Sequence, residues 1–185
     1  YATDLVDNCK LMKLKNGYLA TSGYTIIKNI IEHLSAHGNE LINSQFDTKA
    51  DVFQFFLKLY SELKSNYTLV DTGKDTFAGI YNSFILVTPR SIFGIANNLS
   101  VHEYERYVAR GAGSDYALGS LYSLYDILDD GEELTRMALE SSCQYSLYCK
   151  EPLDIIEVKD SVLSKKRSGL FKPARGEINS FMTKS

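Results

Sequence analysis

Tyr107-Val-Ala-Arg-Gly-Ala-Gly-Ser-Asp-Tyr-Ala-Leu-Gly-Ser-Leu-Tyr122 gathers the residue types best suited to chemistry, because an apolar stretch runs into Gly111-Ala-Gly-Ser114 and then into a helical pattern. Two glycines one residue apart allow positive φ and close approach of the backbone to another group. Ser114 and Asp115 can cap the amides that open the helix. A turn of this kind could cradle a dinucleotide phosphate, but that use needs GxGxxG after an early strand in a βαβ unit. Here the third glycine is missing and the turn comes late, so the nucleotide reading is set aside.

Other reactive residues give weaker patterns. Cys9, Cys143 and Cys149 form an odd, sparse set without metal-ligand spacing, which reads as free thiols in a reducing compartment with no metal and no cofactor. His33, His37 and His102 are scattered. Lys10, taken alone, is a solvated strand residue. The tyrosines at 116, 122, 125, 145 and 148 fall at helical spacing and read as core and interface packing. Lys165-Lys-Arg167 and Lys172-Pro-Ala-Arg175 read as solvated charge on a terminal arm.

The elements that must hold these residues belong to an ordinary globular chain. It has 185 residues, 44% hydrophobic and 23% charged, enough for one domain with a substantial core. A net charge of −3 gives no general attraction to nucleic acid or an anionic membrane. No apolar run reaches the length of a membrane span, and no signal peptide is visible. The matches to a glycosylation sequon at Asn66 and Asn98 are chance in that context. The sequence opens at Tyr1 without an initiator methionine, so residues upstream are expected.

Alternation from Cys9 to Leu14, then Lys15-Asn-Gly17, then Tyr18 to Ser22 predicts a tight hairpin. Gly23 precedes a helix with Ile27, Ile30, Ile31 and Leu34 on one face, ending near Gly38. Asp47 or Thr48 caps a second helix whose stripe is Val52, Phe53, Phe56, Leu57, Tyr60 and Leu63. Strands are expected at Phe77–Tyr81, Phe84–Thr88, Ser91–Ile95 and Tyr104–Ala109. After the glycine turn comes a helix facing inward with Leu118, Leu121, Tyr122, Tyr125 and Leu128. A last helix opens near Gly131, with Leu134, Met137, Ala138, Ser141 and Tyr145 inward. Pro152–Val158 is expected to close the fold as a strand, making residues 1–158 a single domain and 159–185 a basic C-terminal arm. The order of elements suggests an α+β fold with helix pairs outside two packed antiparallel sheets.

These motifs, taken in order, resemble the β-type subunits of the proteasome and of the bacterial HslV peptidase, within the N-terminal-nucleophile (Ntn) hydrolases. The resemblance spans about Asn8 to Val158. It rests on Asn8-Cys-Lys10-Leu before a hairpin, Ala20-Thr-Ser-Gly23 before a helix, and Ile92-Phe-Gly-Ile95. Tyr107 to Ser114, Tyr116-Ala-Leu-Gly119 and Pro152-Leu-Asp-Ile-Ile156 complete it. It implies a four-layer αββα sandwich assembled from copies of itself into stacked rings. It also implies a cytoplasmic location, an unfoldase ATPase as feeder and unfolded polypeptide as substrate. The implied nucleophile is an N-terminal threonine activated by its own amine or a nearby water, which needs no histidine. Lys10 matches the family's electrostatic catalyst. Ala20 matches the oxyanion-binding amide at the head of the first helix. Gly111, Gly113 and Ser114 match the supporting turn, and Asn8, Tyr18, Ser22 and Ile26 the substrate pocket.

The threonine would precede Lys10 on a strand hairpin upstream of Tyr1. Without that hairpin, a sheet leaves rows of unpaired backbone groups. Ala112 stands where the family usually has serine, Ser146 where the proteasome branch often has aspartate, and Ala20 where glycine is typical. Those exchanges support an alternative: a catalytically silent ring-forming structural or binding protein of the same fold.

Overall fold

The computed structural model of the chain describes residues 9–67 and 79–159. β1 (Leu11–Leu14) and β2 (Gly17–Ser22) form the expected hairpin, with Leu14 opposite Gly17 and Met12 opposite Leu19. Period-two alternation buries Met12, Leu14 and Leu19 on one face, leaving Tyr18, Ala20 and Ser22 half-buried on the other. Gly17 is required where β2 crosses β3, since a Cβ there would lie 2.6 Å from the Val87 carbonyl oxygen. β3 (Ser83–Val87), β4 (Ile92–Ile95) and β5 (Val101–Tyr104) continue the sheet, all antiparallel, in the order β1-β2-β3-β4-β5.

Two helices cover the inner face. α1 (Thr25–Ala36) buries Ile27, Ile30, Ile31 and Leu34, as its spacing predicts. α2 (Lys49–Glu62) opens on a capping box in which Thr48 and Asp51 exchange side-chain-to-backbone bonds, and it runs into a π-turn at Leu63–Tyr67. Its buried stripe is Val52, Phe55, Phe56, Leu59 and Leu63, while Phe53 and Leu57 are 43% and 39% exposed. The expected stripe was rotated. Apolar residues nearly surround α2, so two overlapping stripes satisfy the helical period, and contact with the sheet selects one. The Phe56 and Phe84 rings meet at 5.0 Å.

β5 also differs from expectation. Ala96–Ser100 closes a tight turn, with Leu99 at φ 67° and bonds from Leu99 N to Ala96 O and from Ala96 N to Ser100 O. The returning strand therefore pairs at once, Val101 against Ile95, and the sheet ends at Tyr104. Residues 105–113 leave the sheet rather than extend it.

α3 (Ser114–Leu124) and α4 (Gly131–Tyr145) pack on each other through Ala117, Leu121, Leu134 and Ala138, with Tyr107, Tyr125 and Leu128 alongside. Leu118, Tyr122, Met137 and Tyr145, expected inside, are 37%, 79%, 39% and 65% exposed. Leu121 and Leu134 face inward as expected, and Ala117 and Ala138 beside them let the two helices approach. Asp130 caps α4 through bonds to the Glu132 and Glu133 amides.

The molecule is thus α+β, with one five-stranded antiparallel sheet and four α-helices among the described residues. Pro152–Val158, expected as a strand, joins no sheet there. An alternating pattern specifies a strand only when a neighbour supplies the ladder. Of the strand expected at Phe77–Tyr81, the described part, 79–81, forms only a bridge at Gly79 and no strand, while the arm from 160 onward lies entirely outside the described residues.

Candidate functional site

The end of β2 is held from below by one buried amide. Asn82, 1% exposed, donates Nδ2 to Thr21 Oγ1 (2.8 Å) and to the Tyr24 carbonyl (3.1 Å), and its Oδ1 accepts from the Tyr24 amide (3.0 Å). Gly23, at φ 135°, passes so close that a Cβ would meet the Tyr81 oxygen at 2.6 Å and Asn82 Oδ1 at 2.7 Å. The junction between β2 and α1 is therefore locked: a side chain at 23 would strain the backbone and collide with its clamp.

The glycine turn closes on this junction from above. Gly111 adopts φ 101°, and a Cβ on it would lie 2.8 Å from Ser22 Oγ. Ser114 N donates to Gly111 O (3.1 Å), and Ala117 N to Gly113 O (3.1 Å). Ser142 Oγ, reaching from α4, also donates to Gly113 O (2.9 Å). A Cβ on Gly113 would meet Cys149 Sγ and Ser142 Cβ, each at 2.7 Å. The turn is wedged between β2 and α4 with no room for a methyl group on either glycine.

The approach to the turn is braced by Arg110, whose Nη2 donates to the Tyr104 hydroxyl (3.2 Å). Gly94 admits this arrangement, since a Cβ there would meet the Tyr104 ring at 2.9 Å and Arg110 Nη2 at 3.2 Å. Arg106 stacks over the Tyr125 ring at 5.3 Å, and Tyr107 packs on the same ring. Near the other side, burial pushes the Cys143 thiol up, with the charges of Cys149, Glu151 and Glu140 adding to it.

The sequence-predicted residues divide between this neighbourhood and the rest of the molecule. Lys10 is exposed just ahead of β1, and its carbonyl accepts from the Thr21 amide (3.2 Å) beside Ser22. Gly111 lies against Ser22, and Gly113 and Ser114 follow it in the same turn. Ala20 does not stand at the head of the first helix. It lies within β2, opposite Leu11 and Ile85, while α1 begins at Thr25. Because the Thr21 amide points to β1, strand alternation turns the Ala20 amide to β3, inside the ladder.

The predicted substrate pocket is also divided. Tyr18 sits about 13 Å from Ser22 at the other end of β2, counting 3.3 Å per residue. There it lines a separate cleft of about 740 Å³ with Lys13, Lys15, Phe46, Arg90 and Glu157. Ile26, on the first turn of α1, is 46% exposed. Asn8 lies outside the described residues. Sequence reading missed Asn82 and Ser142, and named Cys149 only as a free thiol, without its contact with the turn. Asn82 carried no local signal, because its partners are 58 and 61 positions away. Among the described residues no helix is long and apolar enough to cross a membrane.

No protein-family model matches the sequence, and no curated protein sequence does. Solved structures do match. Thiobacillus denitrificans BPH is 25% identical, with a TM-score of 0.71 over 80% of this chain and 77% of that one. The same protein in complex with epoxomicin gives 24% and 0.70, over 80% and 78%. Eukaryotic HslV from Trypanosoma brucei gives 17% and 0.52, over 77% of this chain and 76% of that one.

Proposed function

Since the chain has the proteasome-β/HslV-like fold, we propose that it is a subunit of a threonine peptidase. Its nucleophile would be an N-terminal threonine carried upstream of Tyr1. The observation that supports this reading is the seating of Gly111 on Ser22, next to Thr21, whose amide bonds the Lys10 carbonyl. A threonine on an added strand pair would attack the peptide carbonyl, passing its proton to its own amine or a water, and water would then release the acyl group. The Lys10 ammonium would stabilise the developing negative charge. The added strands, together with Pro152–Val158, would form the second sheet of a four-layer Ntn sandwich. The subunit would then work in the cytoplasm, in rings of its own copies, on unfolded polypeptide delivered by an unfoldase ATPase.

Full-length protein incubated with a threonine-directed covalent inhibitor is expected to gain the mass of one inhibitor per chain. Lys10→Ala should slow adduct formation by about 10²-fold, the order expected for losing one preorganised charge. A specific observation favours the second reading, a catalytically silent member of the same fold: the Ala20 amide belongs to the sheet ladder and is not at the helix head. No mass gain, with a folded and oligomeric protein, would decide for that silent form.

A further inference from the structure

The two histidines at the end of α1 take no part in the proposed reaction, and the sequence reading treated them as scattered. Four positions along a helix make one turn, so His33 and His37 share a face, with Cβ atoms about 5–6 Å apart. Both side chains are exposed, and their rings lie 4.1 Å apart between centroids, tilted by 38°. The backbone beneath them is fixed. α1 closes on His37 with Gly38 at φ 68°, and the Gly38 and Asn39 amides return to the Ser35 and Leu34 carbonyls (3.2 and 3.0 Å).

His37 Nδ1 stands 2.8 Å from the His33 carbonyl oxygen. A carbonyl only accepts, so Nδ1 carries the hydrogen and the neutral ring keeps its lone pair on Nε2. A ring held through one nitrogen by a backbone carbonyl, with the other nitrogen open, is the arrangement of a metal-binding histidine. The surroundings suit a cation too. No lysine or arginine occurs between Lys28 and Lys49, and Lys28 is paired with Glu32 (2.8 Å). The carbonyl end of α1 adds the negative end of its dipole.

We propose that His33 and His37 together bind one divalent transition ion of the imidazole-preferring kind, Ni²⁺, Cu²⁺ or Zn²⁺. His37 Nε2 and one ring nitrogen of His33 supply two ligands about 2.0–2.1 Å from the ion, and water fills the other positions. Ligands at that distance stand about 3 Å from each other, a spacing the two exposed rings reach by turning about their side-chain bonds. The i, i+4 separation is the one by which a helix presents two histidines to a single metal.

The test uses the whole chain and Ni²⁺ alone, since zinc and copper would also take the free thiols. Diethyl pyrocarbonate then modifies whatever imidazole nitrogen is left open. Trypsin releases His33 and His37 in the peptide of residues 29–49 and His102 in that of residues 91–106. Ni²⁺ is expected to protect both histidines of the first peptide, while His102, exposed on β5, is modified as before. By calorimetry, His33→Gln and His37→Gln should each weaken nickel binding by about 10²-fold, the loss expected when a second ligand no longer acts within the same molecule. His102→Gln should leave binding unchanged. Protection of one histidine alone, equal protection of all three, or a loss confined to one of the two variants would overturn the site. So would no protection at any nickel concentration that leaves the protein folded. None of these outcomes involves peptidase activity, so they stand apart from the inhibitor experiment.

Discussion

The sheet with α1 and α2 and the α3–α4 pair stabilise themselves by different means. The first half completely buries Phe55, Phe56, Phe84 and Phe93 with Leu19, Ile27, Ile31, Leu59 and Leu86. Each such side chain contributes about 1.5–3 kcal/mol. The second half shares Ala117, Leu121, Leu134 and Ala138, and leaves Tyr116, Tyr122, Tyr145, Leu147 and Tyr148 exposed. The sheet half is a core in its own right. The helix pair meets the sheet where Gly111 seats on Ser22, while Gly113, packed on Ser142 and Cys149, ties the opening of α3 to α4.

The contrast is sharpest in the cores. Phe84→Ala should cost about 3–5 kcal/mol, against about 2 kcal/mol for Leu121→Ala at the low end for such truncations. Chemical denaturation of the two variants measures both, and equal losses would mean that the halves share one core. Buried polar groups offer a second comparison. Asn82→Ala strands the Thr21 hydroxyl and the Tyr24 amide and should cost about 2–3 kcal/mol. Ser142→Ala leaves Gly113 O still bonded by the Ala117 amide, so a loss of about 1 kcal/mol is expected from the same measurement.

At the seam between the halves, Gly111→Ala places a methyl group against Ser22 Oγ at a positive φ and should cost about 1–3 kcal/mol. Hydrogen exchange should rise at the Ser114 and Ala117 amides while β3 and β4 stay protected; protection lost throughout would show that the halves unfold as one. The smallest effects should erase the contrast. Thr48→Ala on α2 and Asp130→Ala on α4 should each cost about 1 kcal/mol, because a cap answers to its own first turn. Unequal thermal shifts, after correction for the size of the unfolding unit, would show that tertiary contacts reinforce one cap.

Much of the scaffold was legible in the sequence because its rules are local. Lys15-Asn-Gly17 between alternating segments specifies a hairpin, Ile27, Ile30, Ile31 and Leu34 specify one face of a helix, and Asp47 or Thr48 specifies a cap, the place Thr48 takes. Reading failed where local rules admit two answers or none. α2 carries two competing apolar stripes. The Ala96–Ser100 turn reverses the chain through a leucine at positive φ, which sequence patterns do not favour. The family resemblance groups Tyr18 with Ser22, and the two share a face of β2, but strand length sets them about 13 Å apart.

By itself, the order of residues determined β1 to β4, the four α-helices and the presence of a glycine turn, since propensity, periodicity and caps act within a few residues. Only the folded chain decided that this turn rests on Ser22, that Asn82 clamps the strand to the helix, and that Cys149 lies against Gly113. Those contacts join positions far apart in the chain, and close packing, which no local pattern encodes, selects them.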